Sequence, residues 1–191
     1  MGPWCLCEYN NIAKIVGPQN VLITNISEAV AARLPEGVAW TGQSVLSMGL
    51  QKVCLLDLHA ADALEPSDKD KIDYFLFGGI LGDHPPRDRT SHLRPAGTVL
   101  RHLGPEQMST DGAVNVCWNI INGTKLEDLK FCPFPLRIAV SAVSTVELPF
   151  KYLQDAEGAP CLPAGLRELV VADFHVDEDW CIDADDSEAP Q

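Results

Sequence analysis

FGGILGDHPPRDRT, Phe77 to Thr90, decides how this chain of 191 residues is read. It follows the apolar run Asp73–Phe77 and sets Gly78, Gly79 and Gly82 close together. A turn without side chains lets main-chain amides approach a ligand with no Cβ in the way. Pro85 and Pro86 then prevent a helix from starting at once. A second block, LGPEQMSTDGA at Leu103–Ala113, repeats the layout: a lead at Val99–Leu103, a Gly104-Pro105 turn, then Ser109, Thr110 and Asp111 before a helical run. Either block alone reads as an ordinary tight turn. Two such strand–loop units side by side can enclose a small flat ligand.

Working outward from these blocks, Asp73–Phe77, Val99–Leu103 and Val53–Asp57 (VCLLD) are predicted strands. Val21–Ile26 is predicted to be a buried strand, with Ser27 capping a short helix over Glu28–Leu34 and Thr41 capping another through Met48. Pro66 opens a short polar helical turn, and Thr110 or Asp111 caps a helix over Gly112–Ile121, stopped by Asn122-Gly123. Strands alternating with helices imply the α/β class, a parallel sheet with covering helices. Beyond Lys130 the pattern changes. Phe131–Val146 carries Pro133 and Pro135 before IAVSAVSTV, which suits either a strand or a short helix. Glu147–Tyr152 reads as extended, Asp155 and Gly158 mark a turn, and Pro163–Val171 forms a last short helix.

At 46% hydrophobic the chain has enough apolar residues for one domain with a proper core. It lacks the run of about 18 apolar residues that spans a bilayer, and MGPWCLCEY lacks the basic and apolar regions of a secretory signal. Leu6 stands where a myristoylation motif wants Ser or Thr. Seven cysteines, odd in number and scattered, argue for free thiols in a reducing, cytoplasmic setting. Cys5 and Cys7, placed on a strand, would share one face. The net charge of −13 is uneven: eight acids and no Lys or Arg stand between Asp173 and Gln191, which reads as a disordered tail. An acidic chain repels phosphate backbones and attracts cationic proteins. One patch departs, with Arg87, Arg89, Arg94 and Arg101 against Asp88. It is a solvated surface, an internal ion-pair cluster around Asp88, or an anion contact.

DYFLFGGILGDHPPRDRT (Asp73–Thr90), RHLGPEQMSTDGAV (Arg101–Val114) and VELPFKYLQDAEGAPCLPAGL (Val146–Leu166) closely resemble the eukaryotic SPOUT-class protein arginine methyltransferase family. The resemblance continues upstream through WCLCEY, VGPQNVLITNI and KVCLLD, covering Trp4 to Leu169. It implies a parallel sheet whose C-terminal half forms a trefoil knot around S-adenosylmethionine. It also implies a domain at 1–172 that methylates an arginine of a small-subunit ribosomal protein, with 173–191 as an acidic tail. Family members begin with a strand and loop before the position of Trp4, so the first strand is expected to be missing here. Phe131–Val146 departs from the family pattern as well.

Motif match carries over Gly78, Gly79, Gly82, Leu103, Gly104, Met108, Leu148 and Phe150 as donor-binding positions. An arginine acceptor is fully protonated at neutral pH. It becomes a nucleophile when carboxylates grip the guanidinium and leave one nitrogen exposed. Glu147, just before the apolar Leu148-Pro149-Phe150 wall, is the first candidate for that role and Asp83 the second. Asp88, between two arginines, is read as a structural ion pair, Asp111 as a helix cap, and His84 as a proton shuttle or a turn hydrogen-bonder. Two other readings stand beside this one. A SPOUT enzyme acting on RNA rests on the arginine patch and is opposed by the acidic balance. An inactive donor-binding or protein-binding remnant rests on the missing strand.

Overall fold

VCLL at Val53–Leu56 forms β3, the middle of a three-stranded parallel sheet among the described residues. The computed structural model describes residues 1–78, 93 and 98–173. β4 (Tyr74–Leu76) pairs with one edge of β3, Leu76 opposite Leu55, and β5 (Val99–Arg101) pairs with the other, Arg101 opposite Leu56. Cys54 and Leu55 point to opposite faces and both have 0% exposure, so β3 is covered on both sides. Leu64, Leu103, Val116, Cys117, Ile120 and Leu153 form one core cluster beside this sheet, with Phe75, Phe77 and Met108 packed on it.

A smaller parallel pair, β1 (Leu22–Ile23) with β2 (Ala39–Trp40), lies upstream. The predicted buried strand over Val21–Ile26 is therefore shorter and more open than expected. Asn25 turns into the left-handed region at φ 60°, which ends the strand, and Leu22 and Trp40 are both exposed. Helix α2 is the single turn Glu28–Ala31, and Ser27 sits at its N-cap without a side-chain capping bond. The helix predicted from Thr41 is a 3₁₀ turn at Val45–Ser47, and its cap is Ser44, whose Oγ accepts from the Leu46 amide at 3.4 Å.

α1 (Pro3–Val16) is a helix where alternation suggested a strand. Pro3 is pre-set for the first turn, and Gly17 closes the helix at φ 83° with its amide donating to the Ala13 carbonyl. Cys5 and Cys7 stand about 200° apart around this helix and share no face. Its buried residues are Glu8, Ile12 and Ala13, and this side packs on α3 (Thr110–Ile121). α3 is capped by Ser109, whose Oγ accepts from the Gly112 amide at 3.3 Å. The capping role expected of Thr110 or Asp111 thus belongs to the residue before them.

Phe131–Val146, left open between strand and helix, contains β6 (Leu136–Ala139), which turns through Ser141–Ser144 into β7 (Thr145–Leu148). The pair is antiparallel, so the C-terminal part departs from the parallel pattern. Leu136, Ile138, Leu148, Phe150 and Tyr152 join Val170 of the helix at 166–173 in a second core cluster, with Trp4 of α1 packed against it. Among the described residues no helix is long and apolar enough to cross a membrane. Residues 174–191, and the stretch with Gly79, Gly82, Asp83, His84, Arg87, Asp88, Arg89 and Arg94, lie outside the described residues.

Candidate active site

β4 and β5 flank β3, so the strand order reverses at β3. In open parallel sheets, ligands sit beyond the carboxyl ends of the strands at such a reversal. The segments leaving those ends are Asp57, Phe77-Gly78 and His102-Leu103-Gly104. Asp57 is buried, and its Oδ1 accepts from the His59 amide at 2.9 Å. Gly104 adopts φ 115°, and a Cβ placed on it would meet nothing within 4 Å among the described residues. The turn therefore carries no side chain and is uncrowded by the described residues.

Two links tie the three sequence blocks together. The Thr110 hydroxyl donates to the Gly78 carbonyl at 3.2 Å, joining the start of the first block to the second. The Lys151 amide donates to the Gln107 carbonyl at 2.8 Å, and Lys151 Nζ pairs with Glu106 Oε1 at 3.1 Å, joining the second to the third. Leu103 is buried and Met108 half-buried at the first junction. Leu148 and Phe150 are 4% and 6% exposed, packed within the C-terminal cluster. Gly79, Gly82 and Asp83 fall outside the described residues.

Glu147 lies on β7, on the face opposite buried Leu148, and is half-exposed. Arg137 stands opposite it in the strand register, and Arg137 Nε donates to Glu147 Oε1 at 2.8 Å. The carboxylate already holds a guanidinium. A shallow depression of about 440 Å³ bordered by Pro133–Arg137 adjoins this pair. Arg101, one of the four arginines of the basic patch, is an internal ion pair: its Nε and Nη2 donate to both Asp68 oxygens at 2.8 and 3.1 Å. Burial alone would raise the Asp68 pKa, but this guanidinium and the Glu65 amide hold it below the ordinary value. Arg101 is therefore not an anion contact.

Sequence reasoning missed the polar centre between α1 and α3. Glu8 is 3% exposed and Asp111 0%, two acids facing each other with the Trp4 indole donating to Glu8 Oε1 at 2.7 Å and the Asn11 amide to Asp111 Oδ2 at 2.8 Å. Burial first, then the neighbouring Asp111 charge, push the Glu8 pKa to about 7, against smaller opposing effects of Trp4 and Thr110. Burial raises Asp111 too. Among the described residues, Asp111 Oδ1 and the Tyr152 hydroxyl have no partner in hydrogen-bonding geometry, although Ser109 lies close enough to both to favour their ionised forms. The available signal was the spacing Trp4, Glu8, Ile12, which puts an acid in the middle of an apolar helical face.

The family described as "Protein arginine N-methyltransferase SFM1-like" matches residues 1–176. The chain is 36% identical over 190 residues to protein arginine N-methyltransferase SFM1 of Saccharomyces cerevisiae, covering 89% of each. It is similar to the crystal structure of yeast arginine methyltransferase SFM1 complexed with SAM, with a TM-score of 0.83 at 36% identity over 91% of this chain and 86% of that one. The corresponding complex with SAH gives a TM-score of 0.80 at 36% identity over 89% of each chain. With nearly its whole length matched, the chain belongs to the SFM1-like family of protein arginine N-methyltransferases.

Proposed function

We propose that this chain transfers a methyl group from S-adenosylmethionine to an arginine of a basic protein, a small-subunit ribosomal protein. The observation that carries the reading is the joining of three loop blocks by Thr110–Gly78 and Lys151–Gln107 beyond a parallel sheet, in a chain of the arginine methyltransferase family. The bound sulfonium supplies an electrophilic methyl whose S–C bond breaks as the N–C bond forms. The protein's part is to hold the donor and bring the acceptor nitrogen to about 3–3.5 Å. Gly78, Gly79, Gly82 and Gly104 give the donor bare backbone, and Leu103, Met108, Leu148 and Phe150 give it apolar walls. The SPOUT knot over these loops and a domain at residues 1–172 belong to the same reading.

Glu147 is the first candidate to orient the substrate arginine, and Asp83 the second. A carboxylate gripping two guanidinium nitrogens concentrates charge there and leaves the third nitrogen toward the donor. Arg137 shows that the Glu147 carboxylate accepts a guanidinium in this setting. A substrate arginine has to displace it. The proton released on methylation passes to the carboxylate or to water.

The acidic balance of −13 favours a cationic protein over RNA. Incubating the chain with salt-washed small ribosomal subunits and radiolabelled donor, then separating protein from RNA, tests this. Label in an arginine of one small-subunit protein is the expected result. Label in the RNA fraction transfers the reading to an RNA methyltransferase, and donor binding without any labelled acceptor to an inactive remnant.

A further inference from the structure

β5 ends at Arg101, yet the main chain of the next residue is still held at the sheet. The His102 amide donates to the Asp62 carbonyl at 2.9 Å, and its carbonyl accepts from the Leu64 amide at 3.0 Å. The ring reaches forward instead, and Nδ1 accepts from the Gly104 amide at 3.1 Å. Gly104 stands at φ 115°, and a glycine has too much conformational freedom to set such a turn by its own sterics. We propose that His102 is a positioning residue for the methyl donor, its ring fixing the Leu103-Gly104 turn against which the donor binds. This rests on the reading of Leu103 and Gly104 as donor-binding positions.

One end of this tether is fixed and the other depends on it. The two main-chain bonds and the bridge to Ala63 anchor the His102 backbone whatever side chain it carries. Replacing the side chain therefore spares the tie to the sheet and removes only the hold on the turn. The bond takes up the Gly104 N–H, so the turn meets the donor with its other backbone groups. For Nδ1 to accept, the neutral ring carries its proton on Nε2. A second proton makes both ring nitrogens donors. Nδ1–H and the Gly104 N–H then face each other, and the turn is released. The charged groups on the segments packed about the ring are Arg101 on β5, Asp57 and His59 after β3, Asp62 beside the bridge, and Asp68 on the 3₁₀ turn Pro66–Asp70. Glu106, paired with Lys151 at 3.1 Å, follows the turn itself.

The test is calorimetric titration of the full chain with S-adenosylmethionine between about pH 5.5 and 8, which spans the ordinary titration of imidazole. Asn places an amide oxygen where Nδ1 stands and takes no proton, whereas the Gln oxygen lies farther out, near the Nε2 position. His102→Asn should therefore bind like wild type near pH 8 and keep its affinity at about pH 5.5. Wild type should weaken over that fall in pH by roughly threefold to tenfold, the worth of one hydrogen bond. His102→Gln should be weaker by the same factor throughout. Glu8, with its pKa pushed to about 7, is common to all three, so the difference between wild type and His102→Asn isolates the ring. S-adenosylhomocysteine, whose sulfur is uncharged, should lose affinity for wild type to the same extent. A fall confined to the sulfonium would be charge repulsion and would overturn the hold on the turn. Parallel pH profiles for wild type and His102→Asn, or equal affinity of the Asn and Gln variants at pH 8, overturn it as well. Gly104→Val, a branched side chain at a φ suited to glycine, separates this role from the pocket itself. If it removes donor binding while the His102 variants match wild type, the role of His102 alone fails; if it leaves binding intact, the pocket reading falls and takes this role with it.

Discussion

Glu8 and Glu147 are the same residue type in opposite circumstances. Glu147 is half-exposed on an antiparallel hairpin and is held by a guanidinium at 2.8 Å. Glu8 is enclosed between two helices, bonded to a neutral indole and opposed by a second acid. The first remains a charge ready to exchange one cation for another. The second is most stable as a neutral acid, because a desolvated carboxylate without a cation is expensive. One carboxyl meets its cation at the surface, and the other meets another acid in the interior.

The largest effect should come from removing the exposed charge. Glu147→Gln should lower turnover by about 10²–10⁴-fold, the range for losing a positioned acid–base or charge partner, while donor affinity survives. Its stability should change by less than about 1 kcal/mol, since an exposed ion pair contributes little. Asp83→Asn should lose less activity. Near-normal turnover in Glu147→Gln with an inactive Asp83→Asn would reverse the two assignments.

Substituting the buried acid should reverse that pattern. The Glu8 pKa rises on folding from 4.5 to about 7, so its stabilising contribution is complete below about pH 4.5 and is lost as pH rises through about 7. Glu8→Gln has no proton to lose. Near pH 4.5 it should match wild type, and above pH 7 it should be more stable by up to about 3 kcal/mol, with Asp111 keeping a residual slope. Thermal melts of both proteins from pH 4.5 to 8.5 measure this, and parallel profiles would refute a buried neutral Glu8.

The smallest expected effect sharpens the contrast. Arg137→Gln frees Glu147 from its internal guanidinium, so KM for the protein substrate should fall by roughly twofold to fivefold, within the range of exposed ion pairs. Melting temperature should hardly move. A raised KM would mean that Arg137 orients Glu147 instead of competing with substrate.

The central sheet was legible because VCLL, the Tyr74–Leu76 run and VLR are short apolar stretches bounded by turn residues, and their pairing follows from the parallel rule. The turn of the second block was legible from Gly104-Pro105, and Gly104 does adopt φ 115°. α1 was not, because CLCEY alternates while the deciding spacing of Trp4, Glu8 and Ile12 runs across it. Ser109, Thr110 and Asp111 are all good cap residues, and the point where the backbone turns helical selects Ser109. The Glu8–Asp111 centre was hidden for a different reason. An acid in a sequence is read as solvated unless its distant neighbours are known, and here the nearest one belongs to another helix.

That separation has a consequence during synthesis. Asn11 and Asp111, bonded at 2.8 Å, stand 100 residues apart in the chain. A growing polypeptide lengthens by about 5–20 residues per second, so α1 waits on the order of 5–20 s before α3 exists to receive it. Through that interval Glu8 is hydrated and charged, and the charge helps keep the apolar face of a lone helix from associating with other chains. Docking onto α3 then draws a proton from water onto Glu8, so that step of folding consumes acid.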